Sequence, residues 1–501
     1  MNVRTTPWIA AAVVFLVHAL GNAHYGFFRD ELYFIMCGFH PQWGYVDQPP
    51  LVPLMAAATQ LFGHSLWLLR AVPAVFAAAA AYTTCLLVAE FGGGMFAQAL
   101  ATLVFLFTGV LMSFGAKVST DEVNLFTWPL LAYLLVRIVK GADARLWIVA
   151  GAVAGITLES KYSVMFLLVA LVAGLLLTPE RRIMRSRWFA FGVATMALIA
   201  LPNFLWQAHY GFPMLELLRN GANGKNISVS PVVYLVQEIV ITNLFLFPVW
   251  IAGLVWLLSS NAYRFLGYAY IILIAEMIVT HGKHYYPGAV YSILIAAGGV
   301  AIESLTSRMA LSRYAVLAYA LVLGPLFVPF ALPILPENAF LAYQDRLGTA
   351  LHLSRNITAT EHHREDSAMP GDWADMHGWP EMAATVKRIY HDLPPAERVQ
   401  AVVVASNYGE AAAVQFFAPG IPVISGHNQY WLWGPGGYSG NVVIDVNGDC
   451  GAKDHLFTDA RRAAVFSSPF AIGYETNMPI MICRGIKVPL AELWPQKKEY
   501  I

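Results

Sequence analysis

The chain has 501 residues, of which 58% are hydrophobic and only 12% charged, and its mean hydropathy is +0.56. That is about half the charge of an average soluble domain, with more apolar side chain than one soluble core of this size would bury, and it points to a bilayer. Thirty-one basic residues balance 31 acidic ones, so no basic stripe or acidic tail is available, and nucleic-acid binding driven by bulk charge is excluded.

Pro7 to Ala23 is apolar, follows a single Arg4, lacks a small-residue cleavage site and runs into an aromatic, charged loop. It reads as a retained first transmembrane helix and not as a signal peptide. Apolar stretches near 20 residues long suffice to cross a hydrocarbon core of about 30 Å. They fall at about residues 7–24, 65–90, 94–113, 122–140, 145–160, 161–178, 187–206, 232–258, 263–281, 284–303 and 312–333, about eleven in all. Arg4, Arg137, Lys140, Arg145, the Arg181 to Arg187 group, Arg264, Arg308 and Arg313 alternate onto one side of these spans, which the positive-inside rule makes cytoplasmic. The opposite side receives the loop 25–64, the connections 115–122, 159–161, 206–231 and 281–286, and everything after Pro333. Glu276 is the clearest charge inside a span.

Composition turns soluble after Pro336. Helices over 381–392 and 411–417 with short buried strands over 401–405 and 442–446 predict an extracytoplasmic α/β domain spanning 336–501, behind a transmembrane domain spanning 1–335. Gly434-Pro435-Gly436-Gly437 is a loop without the spacing of a dinucleotide or phosphate-loop fingerprint. The four cysteines show no zinc spacing. Cys85 reads as core, while Cys450 and Cys483 are either a disulfide or two thiols. Asn226-Ile227-Ser228 and Asn356-Ile357-Thr358 fit the glycosylation tripeptide, which is common by chance.

The chemistry-bearing residues gather in the loops assigned outside. Asp30 and Glu31 open a short helix whose Leu32, Ile35, Met36 and Phe39 form an apolar face for the membrane interface, so that two carboxylates project from it. Helix capping competes with base catalysis for them. Asp47 stands before Pro49-Pro50, in a segment the prolines hold extended. Asp121 and Glu122 start a span, where capping also explains them. Asp30, Asp47 and Asp121 together are also candidates for a divalent metal. Lys161 and the run Lys283-His284-Tyr285-Tyr286-Pro287 offer charge and hydroxyls at headgroup depth, enough to hold a lipid phosphate; snorkelling lysines and an aromatic belt are the alternatives.

In their order and spacing, Arg29-Asp30-Glu31, Tyr45-Val46-Asp47-Gln48-Pro49-Pro50-Leu51, Thr120-Asp121-Glu122 and Lys283-His284-Tyr285-Tyr286-Pro287 resemble the GT-C superfamily of polyprenyl-phosphate-sugar-dependent glycosyltransferases. The nearest branch is family 39, the bacterial relatives of dolichyl-phosphate-mannose protein mannosyltransferases, which include the lipid A aminoarabinose transferases. The resemblance covers roughly the first 300 residues. It implies an inverting transfer from a polyprenyl-phosphate sugar to an extracytoplasmic acceptor, at a plasma membrane or, in a eukaryote, the endoplasmic reticulum. Asp30 would be the general base with Glu31 beside it, Asp47 and Asp121 the further acids, and Lys283 with Tyr285 or Tyr286 the donor-phosphate site. Gln48 departs from the Lys that the aminoarabinose branch carries before its proline, and Lys161 is the candidate replacement cation. A transporter or flippase is the competing class; it predicts charges at the midplane, broken helices and internal repeats. A membrane-anchored sensor built on the C-terminal domain leaves the first-loop acids unexplained.

Overall fold

The computed structural model describes residues 4–362, 367–452 and 455–501. The chain divides into two compact units: one takes the chain up to His24 with Trp67–Phe204 and Ser228–Leu335, the other takes Tyr25–Leu66, Leu205–Ile227 and Pro336–Ile501. The first loop is therefore grouped with the C-terminal region.

The first unit is helical and membrane-embedded. Among the described residues, five helices are long and apolar enough to cross a bilayer: Leu66–Glu90, Glu122–Val139, Arg187–His209, Gly288–Leu305 and Ala310–Phe330. Three further helix pairs qualify only as bent spans, giving up to eight by length and composition, where about eleven spans were expected. The stretch 94–113 is Met95–Phe107 plus Gly109–Ala116, bent by 66°, and 232–258 is Pro231–Thr242 plus Phe247–Ser259, bent by 113°. The helices Leu146–Leu158 and Val164–Leu176 are 13 residues each, about 20 Å long, and so shorter than the hydrocarbon core.

The bends at Phe107 and at Thr242 share one side chain. Asn243 adopts φ 93° just after Thr242, and its side-chain amide donates at 3.0 Å to the carbonyls of both Phe107 and Gly324. Those carbonyls lie where a helix ends or tightens to a 3-10 turn, and one buried amide satisfies both. An apolar run in sequence gives no hint of this. Elsewhere the helices approach closely: a Cβ on Gly253 would overlap the Leu294 carbonyl and one on Gly298 the Val249 carbonyl, so Phe247–Ser259 and Tyr291–Leu305 pack backbone to backbone. Arg187–His209 is the contrary case, with Phe191, Val193, Leu198 and Leu201 all exposed on an apolar helix, a surface suited to lipid.

The second unit contains a five-stranded sheet of β1 (Ala401–Ala405), β2 (Val423–Ser425), β3 (Val442–Val446), β4 (Phe457–Phe466) and β5 (Met478–Ile486), ordered β2-β1-β3-β5-β4. β1 is parallel to β2 and β3; β5 runs antiparallel to β3 and β4. The expected strands 401–405 and 442–446 are β1 and β3. The expected helices 381–392 and 411–417 are Trp379–Asp392 and Tyr408–Phe417. Cys450 and Cys483 are disulfide-bonded, tying the turn after β3 to β5.

Candidate functional site

Two clusters hold the residues singled out by sequence, one in each unit. In the sheet-containing unit, Phe28 is extended and caps the helix Arg29–Phe39. Glu31 accepts the Phe28 N–H at 2.8 Å and is fully buried, whereas the Asp30 side chain is 32% exposed. The expectation that both carboxylates project is thus corrected: neighbours on a helix lie about 100° apart, so one turns inward as the cap and one outward. The apolar face is corrected as well. Leu32, Ile35 and Met36 are buried and only Phe39 is exposed, because the helix Leu51–Gln60 packs on it and leaves no free face for the interface.

Asp30 Oδ1 accepts the Tyr408 hydroxyl at 2.8 Å and lies 3.9 Å from Arg29 Nε. Asp47 accepts the Tyr33 hydroxyl at 2.9 Å on one oxygen and the Asn428 amide at 3.2 Å on the other. Burial pushes Asp47 up to about 6 despite these donors, and the Asp30 charge adds to the rise. The rings of Tyr33 and Tyr408 stack with centroids 4.5 Å apart. Arg29 lies over the Tyr408 ring at 5.2 Å, hydrogen-bonds Tyr474 and sits 3.6 Å from Asp375. Behind it Glu410 and Glu475 are buried side by side. Burial raises both; the Asn407 amide donates to Glu410 at 3.2 Å and to Glu475 at 2.8 Å, and the Asn447 amide donates to Glu410 at 3.2 Å.

In the helical unit, Asp121 precedes the helix Glu122–Val139 without capping it through its side chain. Glu122 reaches back to the Ser119 N–H at 3.2 Å instead. Asp121 is turned to Lys161, with Nζ to Oδ2 at 2.6 Å and side chains 17% and 6% exposed for Lys161 and Asp121. The ammonium also lies 4.7 Å from the Tyr286 ring and 5.5 Å from that of Tyr285. These tyrosines come from the turn before the 3-10 segment Gly288–Val290; His284 beside them is buried and Lys283 partly buried. Three chain segments, at Asp121, Lys161 and Tyr285-Tyr286, thus meet around one cation. Lys161 has three N–H donors, of which Asp121 takes one.

The acids do not suit a metal. Asp47 has both oxygens engaged by neutral donors, Asp30 has one, and Asp121 is neutralised by Lys161. The one group of three ligating side chains within reach among the described residues is Asp445 with Cys450 and Cys483, and the disulfide consumes both sulfurs.

Sequence reasoning missed Tyr33, Tyr408 and Asn428. Asn407 caps the helix Tyr408–Phe417, accepting the N–H groups of Gly409 and Glu410 at 2.9 and 3.1 Å, so the helix start was visible in Asn-Tyr-Gly-Glu. Its meeting with Asp30, 378 residues away in sequence, was not. It also missed Glu238, buried in the helical unit and accepting the Tyr291 hydroxyl at 2.6 Å; Glu276, singled out instead, is partly exposed.

Residues 47–206, which include Asp47, Asp121 and Lys161, match the sequence profile of the dolichyl-phosphate-mannose-protein mannosyltransferases. A 188-residue segment is 28% identical to the lipid A galacturonosyltransferase RgtD of Rhizobium johnstonii, covering 37% of this chain and 39% of that protein. The chain therefore matches about two fifths of the length of this curated relative. Among solved structures, ArnT from Cupriavidus metallidurans bound to undecaprenyl phosphate superposes with a TM-score of 0.62 at 16% identity, over 95% of this chain and 97% of ArnT. The mycobacterial arabinofuranosyltransferase AftD superposes with a TM-score of 0.52 at 12% identity, over 97% of this chain and 42% of AftD.

Proposed function

We propose that this chain, which has the GT-C fold of ArnT and AftD and is related through residues 47–206 to the protein mannosyltransferases, is an inverting membrane glycosyltransferase. It would move a sugar from a polyprenyl-phosphate donor to an acceptor outside the cytoplasm. The observation that carries this reading is Lys161, a cation framed by Asp121, Tyr285 and Tyr286 at the ends of apolar helices. A lipid phosphate leaving group needs a positive charge and hydroxyl donors more than it needs a proton. Lys161 with Lys283, Tyr285 and Tyr286 offers both. Gln48 is buried and uncharged and brings no cation to the phosphate, so Lys161 is the cation in this reading. The undecaprenyl phosphate bound to ArnT supports a lipid-phosphate donor, and the lipid A substrate class of RgtD supports an envelope acceptor.

Asp30 supplies the base. Its Oδ2 makes no hydrogen bond among the described residues, and its side chain is exposed enough to meet an acceptor. The acceptor oxygen attacks C1 of the sugar from the side opposite the phosphate. The C1–O bond breaks with its electron pair going to the phosphate oxygen, and the hydroxyl proton passes to Asp30. The sugar is inverted, and lipid phosphate and a protonated Asp30 remain. Glu31 acts on the backbone as a cap, and Asp47 and Asp121 hold neighbours in place.

The test is transfer by purified protein in nanodiscs from a panel of undecaprenyl-phosphate sugars to lipid A or envelope glycan, with anomeric configuration read by NMR. Wild type should transfer at least one sugar with inversion, and Asp30→Asn should lose about 10²–10⁴-fold in rate while remaining folded. Retention of configuration, or near-normal turnover by Asp30→Asn, would remove the mechanism. Vectorial movement of the donor without transfer would favour a flippase.

A further inference from the structure

We infer that Tyr408 is a positioning residue for the base Asp30, so that the C-terminal sheet orients the base. This rests on the transferase reading above. Tyr408 follows β1, and Asn428 follows β2. Both therefore lie at the carboxyl ends of parallel strands, the edge at which open α/β sheets present loops to ligands. Here that edge is filled by the protein's own first loop.

Each acid receives one tyrosine hydroxyl, and the hydroxyls are not interchangeable with water. The Gln429 backbone N–H donates to the Tyr33 oxygen at 3.2 Å, which leaves the Tyr33 proton for Asp47. Asn428 then fills the second Asp47 oxygen, and its own carbonyl accepts the Ile501 N–H at 3.1 Å. Asp47 is thus fully engaged. Asp30 is engaged on Oδ1 only, by Tyr408, and Oδ2 is left for a substrate proton. A neutral phenol fixes the carboxylate plane without adding to the charge compensation that Arg29, 3.9 Å from the same oxygen, already gives Asp30.

The Tyr408 ring is itself closely packed. Tyr33 stacks on it, and the Arg29 guanidinium lies 5.2 Å from its centroid. The His427 ring approaches at 4.9 Å; burial pulls His427 down to about 3 and keeps it neutral. Gly409 makes the Arg29 contact possible, because a Cβ there would overlap Arg29 Cγ and Cδ. So much packing around a hydroxyl that bonds only one carboxylate oxygen is what orienting that carboxylate requires.

Tyr408→Phe keeps the ring and its stacking and removes only the hydroxyl. In the transfer assay, kcat should fall about 10- to 100-fold, with the donor KM within about twofold of wild type and an unchanged melting temperature. Combined with Asp30→Asn, the change should add no further loss, since its effect runs through Asp30. If Tyr408→Phe does not fold, 3-fluorotyrosine at position 408 preserves shape and alters donor strength, and kcat should change severalfold. Wild-type kcat in either variant, or a further loss in the Asp30→Asn background, overturns the inference. An inactive wild type would instead refute the transferase reading, so the two failures are distinguishable.

Discussion

Replacing Lys161 separates its structural work from its proposed work on the donor. In Lys161→Met the Asp121 carboxylate, 6% exposed, loses a partner at 2.6 Å and keeps the Asn124 amide at 3.4 Å. Removing one member of a buried ion pair typically costs roughly 3–5 kcal/mol, because the remaining charge stays desolvated. Neutralising both members in Asp121→Asn/Lys161→Met removes that stranded charge, so more than half of the lost stability should return. Donor binding should not return with it. A charge-assisted hydrogen bond contributes about 1.5–3 kcal/mol, so both variants should bind undecaprenyl phosphate about 10- to 150-fold more weakly than wild type. Unfolding in detergent gives the stabilities and calorimetry in nanodiscs the affinities. Wild-type affinity in the double variant would refute Lys161 as the phosphate cation, and a double variant as unstable as the single one would refute the ion-pair account.

Asp47→Asn gives a pH-dependent stability change. Burial raises Asp47 to about 6 from an ordinary 3.8, so the folded state binds the proton more tightly than the unfolded chain. The stability contributed is present below about pH 4 and is lost as pH rises through 6; the neutral amide should therefore stabilise the sheet-containing unit at pH 8 by up to roughly 2–3 kcal/mol, and by nothing at pH 4. A melting-temperature gain independent of pH would contradict this. Cys450→Ser with Cys483→Ser opens a cross-link of sequence separation 33, worth about 3–4 kcal/mol in the chain-entropy account. Limited proteolysis should find the loss in the sheet-containing unit with the helical unit still protected, and equal loosening of both would count against independent units.

Much of this molecule was written into local composition. Apolar length alone marks Leu66–Glu90, Glu122–Val139 and Arg187–His209, because a bilayer selects on hydropathy and length with little regard to detail. β1 and β3 could be read from runs of Ala and Val that are buried on both faces of a parallel pair. β2, three residues long, and β4, largely exposed, carry no such pattern and were missed. Asp30, Asp47, Asp121, Lys161 and the tyrosine pair were nameable because charged and aromatic residues are conspicuous between apolar spans. Their partners were not. A bend at Asn243 depends on two carbonyls from other helices, and whether Asp30 or Glu31 turns outward depends on which one the Phe28 N–H captures. Likewise Tyr408 reaches Asp30 only because β1 delivers it there across most of the chain. Hydropathy is a sum over neighbours in sequence and survives without a fold, so the sequence by itself determined the membrane class and the residue types of the site. Hydrogen bonds and ion pairs are made between neighbours in space, so only the tertiary structure decided which acid is capped, which is held with one oxygen free, and which cation the tyrosines surround.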